Sequence, residues 1–435
     1  MSQLKRARLS TSPSTPVAPN SPAAADAADA GWLARPQTRL GTGGLVVLLT
    51  LANIIVPCSL DMYTPAVPSL PAYFGTTAAM VNLTIVGFYL AFSIGILVFG
   101  PLCDKWGRKP VLLGGLLAFT VGSALCALAW SIGALIAFRV VQALGAGAVV
   151  AVSTALVKDC FTEIRRGQML AMLQVAAVLG PVLAPLLGGF ILRFGEWHLT
   201  FVVLAVFGAV CLVFGLMYEE SLPVEERSDE GVLRSIARLG VVAKNARLVV
   251  LLGIASLFSV PFMAYIACAS YVYVDFYGLS EQAYSYFFAA TAAVTVLGPL
   301  AYLRFSGLIS RRALTWGLVG VSLAAGVLVL TAGHTSAFLF CGCFALFAIA
   351  EATVRPYTTD IMLSLQEGDT GSASSLINCS VNVFGVLGMA LMSLSWPDYV
   401  TGLGVVTIVS MAIALVLWVT LLAVPSLRIR QFEKR

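Results

Sequence analysis

Residues 43–60 read GGLVVLLTLANIIVPCSL, an eighteen-residue run without a charge. A helix of that length and character can cross the hydrocarbon core of a bilayer. Asp61 follows it directly, and then come Pro65, Pro68 and Pro71 in the stretch SLDMYTPAVPSLP. A carboxylate at the end of a lipid-soluble run is expensive, and an ionisable residue inside a span is a functional hypothesis by default. Proline cannot continue a regular helix, so the backbone is expected to bend or end there.

Runs of the same kind recur along the chain. Of its 435 residues, 59% are hydrophobic and only 11% are charged, whereas a soluble domain carries about 25% charged residues. The runs are long, continuous and rich in Leu, Ala, Val and Gly. They therefore read as helices rather than the short alternating strands of an outer-membrane barrel. The expectation is an all-α membrane protein of twelve spans, near 42–62, 80–101, 111–130, 133–157, 168–193, 198–218, 248–274, 284–305, 313–333, 336–364, 372–395 and 400–424. The polar stretch 219–247 divides them into six-helix bundles over 42–218 and 248–424, with a short amphipathic helix expected at 230–244. Residues 1–41 read as a disordered arm rather than a signal peptide, and 425–435 as a tail.

Lys and Arg alternate with the spans. They fill the arm, the segments after helices 2, 4, 6 and 8, and the tail, and are nearly missing from the loops between. By the positive-inside rule both termini and the 219–247 linker are cytoplasmic, in the inner (plasma) membrane of a cell. The net charge of +5 thus reflects loop positives and does not suggest nucleic acid. The nine cysteines lie almost wholly in apolar runs, and His198 and His334 are the only histidines. No metal spacing, nucleotide loop or nucleophile–base pair stands out, so neither an enzyme nor a cofactor is expected. The bilayer and a small-molecule substrate are the expected partners of a monomer.

The most specific motif is Gly100-Pro101-Leu102-Cys103-Asp104-Lys105-Trp106-Gly107-Arg108-Lys109-Pro110. It resembles the helix 2–3 signature of the major facilitator superfamily, and the likeness extends over 42–424. It implies two pseudo-symmetric six-helix bundles around a central cavity, with Gly100, Asp104, Gly107, Arg108 and Lys109 as a gating latch. GPLAYLRFSGLISRR from Gly298 echoes it in the second half without the Asp. An internal repeat of this sort suits a carrier that rocks one half against the other.

Arg139 lies inside helix 4. A buried guanidinium needs a partner in the protein interior, and with Gln142 and Gly145 it resembles the antiporter motif of that helix. LGPVLAPLLGGF (179–190) places Gly180, Pro181, Pro185, Gly188 and Gly189 on a near four-residue period, a smooth face with kinks. It resembles the helix 5 motif of proton-coupled drug antiporters. The segment around Asp61 resembles helix 1 of the bicyclomycin/chloramphenicol-resistance branch, which implies that Asp61 exchanges protons. A carboxylate withdrawn from water holds a proton more readily, and a neighbouring guanidinium acts the other way. Protons would then be the coupling ion, for efflux of small lipophilic drugs or, alternatively, of a sugar or other metabolite. Tyr63, Tyr89, Gln142, Phe262 and Tyr265 are candidates to line the cavity. Glu351 and Arg355 share a helix face at i, i+4, as an ion pair or as a second proton or substrate-charge site.

Overall fold

A computed structural model describes residues 32–35, 37–227, 245–305, 308–365, 370–427, 429 and 432. The expected amphipathic helix at 230–244 lies outside them, as does the arm up to residue 31. Twelve principal helices follow one another: α1 Gly41–Asp61, α2 Ala78–Trp106, α3 Arg108–Ala127, α4 Ile132–Cys160, α5 Glu163–Ile191, α6 His198–Met217, α7 Ala246–Tyr271, α8 Glu281–Val294, α9 Arg311–Thr331, α10 Ala337–Ser364, α11 Thr370–Leu391 and α12 Tyr399–Ala423. Among the described residues ten spans are long and apolar enough to cross a membrane, and the shorter apolar stretches Leu179–Ile191 and Leu376–Leu391 of α5 and α11 fill the fifth and eleventh places.

Helix starts follow capping chemistry. Thr77, Ser131, Asn245, Ser280, Ser310 and Asp398 each accept a hydrogen bond from the backbone N–H three residues on, satisfying an amide that the helix leaves open. Burial pushes the Asp398 carboxyl up, but the Thr401 amide and hydroxyl and His334 outweigh it and hold it below the usual range. The stability it adds is therefore present above the unfolded value of about 3.9 and fades as pH falls through the lower folded value. Asp398→Ala is expected to cost about 1 kcal/mol near neutral pH, with a smaller penalty at pH 3, read from thermal unfolding at both.

Three local departures from the expected spans have physical causes. After α1, Thr64–Ser69 forms a 3-10 helix and Leu70–Phe74 a short α-helix. With three residues per turn, Pro65 and Pro68 share a row of the 3-10 helix, and Pro71 sits in the first turn of the α-helix. The first span therefore runs on to Phe74, and Asp61 lies within it. The eighth span is broken rather than continuous: α8 stops at Val294 and helix resumes at Leu297–Phe305. Pro299 cannot donate to the Thr295 carbonyl, which takes the Gly298 amide instead. Finally, α2 and α3 are separated by Gly107 alone.

The halves repeat each other down to side chains. Tyr63 after α1 shares a hydrogen bond with Thr84 of α2, and Tyr265 of α7 shares one with Thr291 of α8, both at 3.1 Å. Across the halves α5 packs on α8 and α2 on α11. Among the described residues, the hydrogen bonds joining the halves lie at the end opposite the chain termini. Tyr284 donates to Thr64 Oγ1 at 2.9 Å and Tyr271 to the Ala78 carbonyl at 3.4 Å. That end is closed.

The boundary of the arm also shifts. Ala34 and Thr162 form backbone hydrogen bonds with Cys160 and Trp32, Arg165 lies over the Trp32 ring at 4.4 Å, and Arg35 pairs with Glu226 at 2.8 Å. Residues 32–35 and 37–40 are thus strapped across the terminal end of the first half. In the tail, buried Phe432 packs against Trp418, ring centroids 4.8 Å apart.

Candidate functional site

Asp61 ends α1 and is 4% exposed. Its backbone carbonyl accepts from the Thr64 hydroxyl at 2.9 Å, which itself accepts from Tyr284 of the other half. The closed gate is therefore hydrogen-bonded to the residue that carries the carboxylate. The carboxylate makes no hydrogen bond or ion pair with a described residue.

Arg139, expected to act on Asp61 as a neighbouring guanidinium, is completely buried and forms no ion pair with it within 4.0 Å. Its Nη1 donates instead to the Ser59 carbonyl and to Gln142 Oε1, each at 2.8 Å. Phe88, Tyr63 and Phe201 surround the guanidinium with ring centroids 4.2, 5.1 and 5.6 Å from Cζ. A cation near the carbonyl end of α1 complements the helix dipole, and cation–π contacts of about 2 kcal/mol or more when desolvated replace a counter-ion. Nε and Nη2 are buried without a hydrogen bond to a described residue. Gln142 passes the network on, donating to Ser123 Oγ at 2.7 Å.

The other candidates divide between packing and cavity. Tyr63 and Tyr265 are buried, and Tyr265 stacks on Phe344 at 4.1 Å; both belong to the packing of their own halves, not to an open cavity wall. Tyr89 and Phe262 are half-buried, and Tyr89 lies within electrostatic reach of Asp61, Glu351 and Arg355. Pro181 and Pro185 sit inside an unbroken α5. Gly180 faces Pro57, Gly188 the Met62 carbonyl, and Gly189 Ser285 of α8, so one face of α5 touches both the Asp61 segment and the second half. Glu351 pairs with Arg355 Nε at 2.9 Å. The side chain of Asp360 lies outside the described residues.

The latch assembles within the first half. Arg108 Nε donates to Asp159 at 2.7 Å, and Nη1 to Asp104 and, at 3.0 Å, to Cys103 Sγ. Gly100 has open space around it, and Lys109 Nζ donates to the Leu216 carbonyl at 3.1 Å. Gly107 has φ of 101°, a region that side-chain-bearing residues avoid. The sequence reading missed Asp159 and Glu220. Glu220 accepts from the amides of Arg108 and Lys109 at 3.0 and 3.1 Å, capping the start of α3 from the loop after α6. The paired Glu219 and Glu220 at the head of the linker were the visible signal. Glu220→Ala is expected to lower stability by about 1–2 kcal/mol, and Lys109→Ala by much less, in thermal melts of the purified protein.

Two six-helix halves with membrane-length helices, closed at one end and carrying in the interior a carboxylate unpartnered among the described residues, are the architecture of a membrane transporter. The sequence pattern of the Major Facilitator Superfamily matches residues 49–389, and the chain belongs to that family. It is 29% identical over 359 residues to the uncharacterized MFS-type transporter YdgK of Bacillus subtilis (strain 168), covering 81% of this chain and 87% of that one. It is 35% identical over 176 residues to a chloramphenicol resistance protein of Pseudomonas aeruginosa, 39% of this chain and 40% of that one. A bacterial homologue of the human lysosomal transporter Spinster, inward-facing and occupied, superposes with a TM-score of 0.72 at 15% identity, covering 89% of this chain and 97% of that one.

Proposed function

We propose that this transporter exports small lipophilic, chloramphenicol- or bicyclomycin-like molecules in exchange for protons, with both termini cytoplasmic. The observation that carries the reading is Asp61, buried in a span, its carboxylate without a hydrogen-bonding partner among the described residues, one turn from the gate that joins the halves. A buried carboxylate left unpaired is a poor stability device, and it suits a group that is loaded and unloaded. With the termini in the cytoplasm the structure corresponds to the inward-facing state, in which Tyr284 and Thr64 close the outer end. Proton and substrate competing for the Asp61 region couple the two flows, because each favours a different loading of one cavity. The resistance names of relatives support the drug class.

The test is expression in a drug-sensitive bacterium. Resistance to chloramphenicol should rise, and a protonophore should abolish active efflux of the drug. Unchanged resistance across a broad drug panel would remove the drug assignment, and efflux surviving the protonophore would remove the coupling.

A further inference from the structure

Phe258 of α7, Glu351, Arg355 and Thr358 of α10, and Asn378 and Asn382 of α11 surround a cavity of about 100 Å³ in the second half. The coupling scheme above makes no use of it. Glu351 is 6% exposed and Arg355 54%, and Arg355 acts electrostatically on Tyr89 of the opposite half. That combination places the guanidinium on the space between the halves rather than in lipid. Arg355 spends Nε on Glu351, while Nη1 and Nη2 form no hydrogen bond with a described residue.

An i, i+4 ion pair on an exposed helix face contributes at most about 0.5 kcal/mol, and burying one of its charges offsets even that. Stability is a weak reason for this pair. A planar fork with open donors is the geometry that recognises a carboxylate at two points, and the Asn382 carboxamide on α11 brings a further donor to the same wall. A void of about 150 Å³ holds a benzene ring. This one suits a head group, leaving an attached ring against Phe258 and toward Tyr89, on which Arg355 acts.

We propose that the Glu351–Arg355 pair is a subsite for the carboxylate of lipophilic organic acids, with Arg355 binding the anion and Glu351 orienting the fork and weakening its grip. This assignment of a substrate class rests on the export reading for its place on the transport path. Glu351 and Arg355 act here in opposite senses, and that separates the proposal from a merely structural pair.

The test uses the purified full-length protein in detergent without a proton gradient, titrated with 2-naphthoate and with 2-naphthamide, equal in shape and different in charge. Naphthoate should bind at least tenfold more tightly. Arg355→Gln should bring the ratio close to one, Arg355→Lys should keep part of it, and Glu351→Gln should tighten naphthoate several-fold while leaving naphthamide unchanged. Equal affinity of the unmodified protein for the two probes overturns the proposal and needs no variant. So does parallel weakening of both probes in Arg355→Gln and Glu351→Gln. The preference should persist in Asp61→Asn, and a naphthoate preference in an unmodified protein that exports no drug from cells would sink the export reading alone.

Discussion

Asp61→Asn is expected to abolish proton release on drug addition in everted vesicles, reducing it to the level of vesicles without the protein, while the variant stays folded and still binds drug. The two side chains have nearly the same volume, and the carboxylate has no ion pair or hydrogen bond to lose among the described residues. The substitution is nearly isosteric and breaks no polar contact with a described residue, so the thermal midpoint should hold. The Asn side chain cannot carry the exchanged proton. The variant should therefore still pass drug down its own gradient and fail to move it uphill. Proton release at the unmodified level would place the coupling group elsewhere, with Glu351 the next carboxylate to replace. Arg139 would make a poor first target. Arg139→Met would lose two hydrogen bonds and three ring contacts at once, and misfolding would mask any effect on coupling.

That contrast shows what a sequence can reveal in this fold. Asp61 was visible because a charge at the end of an apolar run is an anomaly that the run itself exposes. The spans were visible for the same reason: residues 198–218 read from composition became His198–Met217 in the structure. The partner of Arg139 was not visible. A buried guanidinium needs acceptors and π faces, and any helix carries carbonyls and rings; the Ser59 carbonyl and Phe88 have no mark in the sequence that separates them from their neighbours. Glu220 escaped because it caps a helix that begins 112 residues earlier. A cap read from sequence is looked for beside the helix it closes. The break in the eighth span escaped because Pro299 was read as part of a repeated Gly-Pro-Leu and not for the hydrogen bond it denies Thr295.

The glycines of α5 and α11 lead to the second large effect. A Cβ on Gly188 would fall on the Met62 carbonyl oxygen, and one on Gly388 on the Val260 carbonyl oxygen. Both obstacles are backbone, so neither can swing aside as a flexible side chain does. Gly188→Ala and Gly388→Ala should each cost about 3 kcal/mol or more, the upper end for overpacking a filled interior, seen as a large fall in the thermal midpoint. Gly188→Ala should also remove transport in molecules that remain folded, because Met62 directly follows Asp61 and would have to move. Gly100→Ala is the informative counterpart. No atom beyond its chain neighbours and its own helix backbone lies within 4 Å of its Cβ position, so stability in this closed-end state should hold or rise by up to about 1 kcal/mol, the helix-interior preference for Ala over Gly. If transport nonetheless falls, the motif glycine is required by a close approach made only when the opposite end shuts, and the latch acts through the state not seen here. If Gly100→Ala is neutral in both melting and transport, the latch needs only its charges and Gly107. If Gly188→Ala melts with the unmodified protein, α5 and the Asp61 segment are not locked together as the structure places them.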